Sequence, residues 1–489
     1  MKVLVCSVNA ELRTSLVCAI LRSLYRSRMK TVADPANSLA RGLAAIRTRF
    51  QVPAGFPPAV LTAAEAAARR APTEHVDHTA RHFVTLDPAS ATDLDQAFAI
   101  EPSGADLLLH YAIADVAWFV DDGDALDREA WRRGTTLYLP DGKAGLYPPV
   151  LSEGAASLLP DGPRPAVVFT VRVAPDGGVH LDGAERAIIR SAAKLAYDSV
   201  RDQDLPPDFA ELTARLQAAE SRRGAARVDP PEQEVAAKPG GGFELVFRPR
   251  LLSEDRNAAL SLAANMAIAD ALCAHHTGLF RVMAEPDHAA VTRLRQTATA
   301  FGLNWSPVVP LAQFEATLDG ADPKQAAFML AVRRAGQGAS YQPFQPGTVP
   351  WHAAVAARYA HATAPLRRLA DRYVIRATLA VANGQPVPTV VTEAFDKLPA
   401  VMARADAIGG QIDRAVIDLA EAVMLQGSVG QSFAAIVTDA DERGARIQLC
   451  DLPVVARLAM QGAEPGDPIT VRLTAADPEH QRVTFEPAG

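Results

Sequence analysis

Residues 83–100 read Phe-Val-Thr-Leu-Asp-Pro-Ala-Ser-Ala-Thr-Asp-Leu-Asp-Gln-Ala-Phe-Ala-Ile. Two apolar runs, Phe83–Leu86 and Ala97–Ile100, have the length and composition of strands, and Pro88, Ala89 and Ser90 supply turn material between them. Asp87, Asp93 and Asp95 place three carboxylates within nine positions. Like charges on one tight loop repel unless something positive lies among them. A hard divalent cation such as Mg²⁺ meets that need, because it takes oxygen ligands and keeps waters that a substrate phosphate can replace. A solvated acidic turn is the competing reading, since aspartate is a common turn residue. Spacing alone leaves both open.

The rest of the chain narrows the choice. Its 489 residues can bury a large core and should hold more than one domain. An apolar content of 49% with 21% charged residues is that of a globular protein and excludes wholesale disorder. The formal net charge of −7 argues against an indiscriminate polyanion binder, so a nucleic-acid site would have to be a local basic channel. The four cysteines (Cys6, Cys18, Cys273, Cys450) lie far apart with no CxxC pair, which fits a reducing compartment and offers no zinc ligand set. No run of 18 uncharged apolar residues is found, so no spanning helix is expected. Residues 1–28 match a signal peptide poorly, because Glu11 and Arg13 interrupt the apolar run; Met29 is an equally good start. A cytoplasmic location is the expectation.

Residues 1–80 look helical, with helices predicted over Leu39–Phe50 and Ala59–Arg70 around the break Pro53–Pro58. From Phe83 the pattern turns to strands: Leu107–Ile113, Ala117–Val120, Ala166–Val173, His180–Gly183 and Glu185–Ile189. A helix at Pro207–Arg223, the Pro/Gly-rich loop Val228–Gly242, a strand at Phe243–Phe247 and helices over 255–276, 311–335 and 364–383 follow. The result is an α+β body of roughly 300 residues or more. The tail carries five short strands, Gln431–Val437, Ala445–Leu449, Val454–Leu458, Ile469–Leu473 and Arg482–Phe485, the pattern of a small OB-type barrel. Phe433 and Phe485 are its only rings, so no base-stacking platform is evident there.

A second constellation lies at 352–376. Arg367, Arg368, Asp371, Arg372 and Arg376 crowd the start of a predicted helix with Pro365 in its first turn, and Arg367 and Asp371 stand four apart. A surface ion-pair helix is the plain reading. Against it, Leu366, Leu369, Tyr373 and Val374 are interleaved, so part of the basic face must point inward, where an arginine needs a carboxylate or an anionic ligand. His352 and His361 read as hydrogen-bonded packing residues, because neither Cys nor a paired His accompanies them. An acidic cation site and an arginine cluster on one body are the ingredients of metal-assisted phosphoryl hydrolysis.

These residues together resemble the ribonuclease II (RNB) family of 3′→5′ exoribonucleases. Phe83–Ala97 is similar to the family's metal-site signature. Leu107–Trp118, with Ile113-Ala114-Asp115-Val116, is similar to its next strand, and Thr136-Leu137-Tyr138-Leu139-Pro140 to the segment whose tyrosine meets the 3′-terminal nucleotide. Ser191–Arg201 resembles a further block, and His352–Arg376 the family's His/Tyr/Arg-Arg signature. The resemblance implies an RNB-type catalytic body over 81–426 and an S1-like OB barrel over 427–489, preceded by a short helical region over 1–80. It implies Mg²⁺ held by Asp87, Asp93, Asp95 and Gln96, with Asp93, Asp95 and Arg367 catalytic. It further implies RNA contacts from Tyr138, Tyr359, Arg368 and Asp413. Single-stranded RNA would be cut to 5′-mononucleotides by a monomer that uses neither DNA nor membrane.

The chain also departs from the family pattern. Gln96 stands where a fourth aspartate is usual, Ala364 and Leu369 replace Ser and Tyr of the arginine motif, Ala258 replaces a glutamate, and Val228 stands where a stacking ring is common. The roughly 80 residues ahead of the body are too few for the family's paired cold-shock barrels. An RNB-fold protein that binds RNA without cutting it is therefore the alternative expectation.

Overall fold

The structure, a computed structural model, describes residues 30–32, 37–225, 232–237, 243–248, 250–319, 322–336, 338–441, 444–464 and 466–488. The helical reading of 1–28 and the position of Val228 lie outside them. The body is built on a seven-stranded sheet. Its order is Ser191–Ala196, Phe83–Asp87, Gln96–Ser103, Asp106–Ala114, Arg164–Val173, Val179–Ile189 and Val76–Asp77. The pairs at the two ends are parallel and the four between them antiparallel. Phe83, Val84, Leu86, Phe98, Leu109, Tyr111, Phe169 and Val171 are buried, so the central strands are near-continuous apolar runs, as a covered sheet requires. Helices Phe209–Arg223, Leu252–Ala274 and Leu369–Ala382 pack on this sheet, and Phe209 stacks on Phe98 with centroids 5.6 Å apart.

Leu252–Ala274 is long and apolar enough by composition to cross a membrane, yet more than half of its most apolar window is buried in the protein. It is a core helix. Its Asn257 side chain donates to the Leu86 carbonyl (3.1 Å), which fixes the helix against the strand that ends in Asp87.

Several sequence expectations are corrected. Ala117–Val120 is not a strand: Val116–Phe119 is one helical turn. His180–Gly183 and Glu185–Ile189 are one strand, Val179–Ile189, carrying a register shift against Thr170/Val171. The helix expected over 311–335 is two, Leu311–Glu315 and Pro323–Ala335. The N-terminal region is not purely helical. Helices Ser38–Arg49 and Pro58–Ala68 form, but Lys30–Val32 pairs antiparallel with Phe243–Arg248 in a three-stranded sheet completed by Glu232–Ala237.

The helix Thr389–Leu425 runs 37 residues through a second core shared by Leu39, Leu43, Ile46, Leu245 and the C-terminal barrel. At Gly42 a Cβ would lie 2.5 Å from the Leu419 side chain, so glycine there lets Ser38–Arg49 approach that helix closely. The barrel strands are Ser432–Asp441, Gly444–Leu449, Val455–Leu458, Pro468–Asp477 and Arg482–Pro487, with Ser432–Asp441 central. They match the five expected segments, with Ser432–Asp441 and Pro468–Asp477 running about four residues further at their C-terminal ends.

Candidate active site

The acidic loop is pinned through its backbone by side chains from outside it. Lys194, on the strand beside Asp87, donates from Nζ to the Ala89 and Ala91 carbonyls (2.8 and 2.5 Å). The Ser157 hydroxyl accepts from Leu94 N–H (2.9 Å) and donates to the Thr92 carbonyl (2.8 Å). Three carboxylates therefore stay close without a flexible loop to relieve their repulsion.

Each aspartate has a different environment. Asp95 is 5% exposed. Its Oδ1 accepts from Leu366 N–H at 2.7 Å, and its Oδ2 lies 3.5 Å from Arg367 Nε. Burial pushes its pKa up to about 8 even though Arg367 and the Leu366 amide favour the charged form. Asp87 ends its strand with a buried Oδ2 that has no hydrogen-bond partner. Burial raises its pKa to about 6, opposed by Arg367. Asp93 is engaged on both oxygens: Lys143 Nζ lies 2.8 Å from Oδ1, and the Tyr138 hydroxyl donates to Oδ2 at 3.1 Å.

The segment that carries the arginines is not the helix start the sequence suggested. Residues 365–367 form a turn, Arg368 is extended (φ −131°, ψ 123°), and the helix begins at Leu369. The cause is Asp371, whose carboxylate accepts from Ala364 N–H (2.7 Å) and receives a two-pronged grip from Arg368 (2.9 and 2.8 Å). Asn265 adds a bond to Ala362 N–H (2.9 Å). The Arg367 carbonyl accepts from Thr136 N–H (3.0 Å) and the Thr135 hydroxyl (2.8 Å), so its backbone is strapped to the strand bearing Tyr138. The Arg367 side chain is left about half exposed beside Asp95.

The remaining expected site residues separate. Arg368, expected on RNA, spends its guanidinium on Asp371. Gln96, expected as a metal ligand, has its amide oxygen engaged by the Tyr111 and Ser261 hydroxyls and its NH₂ on the Thr363 carbonyl (2.8 Å), which removes that oxygen from a cation's reach. Tyr359 accepts from Asn265 (3.3 Å) and lies edge-on to His352 and His361. Burial holds His361 well below its usual pKa and lowers His352 to about 4, so both are neutral packing rings at pH 7. Asp413 is exposed on Thr389–Leu425, one turn beyond Gly409, which faces Leu137 next to Tyr138. Nearby, a groove of about 510 Å³ opens between Arg49, Arg414 and His480.

Among the described residues no group of three His, Cys, Asp or Glu side chains stands ready to hold a metal. Two donors fit a cation nonetheless. The unpartnered buried oxygen of Asp87 and the buried Asp95 carboxylate, each with its pKa raised by burial, are groups a divalent ion would satisfy. Lys143, Lys194 and Asp371 were not singled out for these roles by sequence reasoning. Lys143 and Lys194 carry no spacing signal, and Asp371 was read as a helix-face partner of Arg367 instead of Arg368.

Fold and site define a mixed helix-and-sheet body, with an acidic loop facing an arginine, joined to an OB barrel. Residues 75–384 match the RNB domain, and residues 431–488 match the RNase II-type exonuclease C-terminal S1 domain. The chain belongs to the RNB family. It is 27% identical to Ribonuclease R 1 of Lactococcus lactis, aligned over 81% of this chain and 52% of that protein. To Exoribonuclease 2 of Cronobacter sakazakii it is 29% identical, over 78% of this chain and 62% of the relative. It thus spans about half to two thirds of these relatives. The apo form of Mycoplasma genitalium RNase R shares the fold with a TM-score of 0.82 at 19% identity, covering 92% of this chain and 78% of that one.

Proposed function

We propose that this protein is a Mg²⁺-dependent exoribonuclease that removes 5′-mononucleotides from the 3′ end of single-stranded RNA. One observation carries the reading: the backbone of Arg367 is strapped to the strand of Tyr138, while its side chain stands at Asp95. A phosphate-gripping cation, a ring for the terminal nucleotide and the acidic loop are thereby fixed to one another. Asp87 and Asp95 would hold Mg²⁺, which when bound activates water and neutralises phosphate charge.

The chain's own groups do the rest. Arg367 presents an exposed guanidinium to the scissile phosphate and offsets the charge that develops on its oxygens. Tyr138, 49% exposed, offers its ring face to the 3′-terminal base while its hydroxyl is anchored on Asp93. Contacts to the 2′-OH would separate RNA from DNA.

Incubation of a 5′-labelled oligoadenylate with Mg²⁺ should give stepwise 3′ shortening, and Asp95→Asn should reduce the rate at least about a hundredfold. A second reading, RNA binding without cleavage, is favoured by the engaged amide of Gln96. It prevails if wild type and Asp95→Asn bind the oligonucleotide alike and both leave it intact.

A further inference from the structure

Lys143 is a positive group that contacts a carboxylate of the acidic loop and that the proposed mechanism does not use. It lies on the strand Gly142–Ala144, which pairs with Leu137–Leu139 so that Tyr138 stands opposite Lys143. Its ammonium meets Asp93 Oδ1 at 2.8 Å and Glu153 Oε1 at 3.1 Å. Glu153 also takes the Thr92 hydroxyl (3.0 Å), so it ties the lysine's far side to the acidic loop. The Asp93 side chain is 13% exposed and that of Glu153 30%, so the better-shielded of the two ion pairs is the one to Asp93.

This geometry divides the three aspartates. Asp93 already has an ammonium on one oxygen and a phenol on the other. A carboxylate already paired with an ammonium at 2.8 Å binds a further cation less readily, because ammonium and cation repel across it. Asp87 keeps a buried oxygen with no partner, and Asp95 meets Arg367 only at 3.5 Å. Resting on the function proposed above, we infer that Lys143 is the resident counterion of Asp93: it withdraws Asp93 from the metal ligands, leaving Asp87 and Asp95 a single-cation site. The same ion pair keeps Asp93 turned toward the Tyr138 hydroxyl, so the seat for the 3′-terminal nucleotide is built without metal. Lys143 is a positioning residue, acting through Asp93.

The test uses Mn²⁺ as the probe, counted by electron paramagnetic resonance on the full chain with no RNA present. Wild type should bind one ion. Asp87→Asn and Asp95→Asn should each weaken it by about tenfold or more, with Asp93→Asn within about threefold of wild type. Lys143→Met frees Asp93 and should add a second ion or tighten the first about tenfold. In EDTA the same variant should bind a 3′-hydroxyl oligoadenylate several-fold more weakly, because Tyr138 loses its anchor. Lys143→Arg, which keeps the charge, should restore both readouts and so separates this role from a merely structural one. Lys143→Met with wild-type Mn²⁺ number and affinity would overturn the inference and leave the proposed function standing. Mn²⁺ on none of the proteins would overturn the metal reading and the inference with it.

Discussion

Arg367 is the residue on which the site turns, because its backbone belongs to one half of the site and its side chain to the other. Its removal should leave the fold intact, since the side chain is half exposed. Arg367→Ala should lower single-turnover cleavage by about 10²- to 10³-fold, with Arg367→Lys retaining part of the rate. Gln96 poses the opposite case. An aspartate there is one methylene shorter, so it draws the acceptor away from Tyr111 and Ser261, leaves the Thr363 carbonyl without its donor and adds a charge next to Asp95. Gln96→Asp should therefore not raise activity, and it should cost about 1–3 kcal/mol of stability by denaturant unfolding. Asp87, Asp93, Asp95 and Arg367 were legible because their density within short windows is itself unusual. The engagement of Gln96 was not, because its partners Thr363 and Ser261 are 267 and 165 residues away.

The helix Leu369–Ala382 shows what the same arginines do as a structural element. Arg372 is 1% exposed and bonded to Asp127 on the helix Ala125–Arg133, with the Tyr373 hydroxyl 2.7 Å from Nη2. The expectation that part of the basic face points inward holds at this residue. It answers a buried carboxylate and no phosphate. Breaking the pair from one side leaves an uncompensated charge, so Asp127→Ala should cost about 3–5 kcal/mol, whereas Arg372→Met combined with Asp127→Leu should cost far less. Urea unfolding of Asp127→Ala and of the double variant, with Arg372→Met and Asp127→Leu alone to complete the cycle, measures this directly. The helix start was misplaced for a related reason. Pro365 is a good first-turn residue locally, but Asp371 captures Ala364 N–H and Arg368 and ends the turn first. A local propensity was overridden by a side chain seven residues on.

At the scale of the molecule, the barrel strands were readable from alternation alone, while the assembly around the long helix was not. Lys30–Val32 finds its partner more than 200 residues away, and Thr389–Leu425 shares its buried face with two separate regions, so neither leaves a local period. Glu421 sits where these parts meet. It is 2% exposed on the long helix, and its Oε1 accepts from Gln233 of the three-stranded sheet (2.7 Å) and from Val455 N–H of the barrel (3.0 Å). Burial pushes its pKa up to about 8, with Asp418 the neighbouring charge that adds to the rise. The unfolded chain then loses this proton near pH 4.5 while the folded chain keeps it to about 8, so stability falls as pH rises between the two. Glu315, raised to about 7, and Asp95, raised to about 8, act in the same direction. His352 and His361 are depressed and act in the opposite direction, but only below their ordinary value of 6.5. Between about 6.5 and 8 the carboxyls alone should set the slope. Thermal melts in EDTA across that window should show Tm falling for the wild type. Glu421→Gln keeps an oxygen for Gln233 and Val455 but has no proton to lose, so its Tm should fall less steeply and exceed that of wild type at pH 8.5. An unchanged slope would mean that Glu421 is already ionised in the fold and that the joint between helix, sheet and barrel tolerates a buried charge.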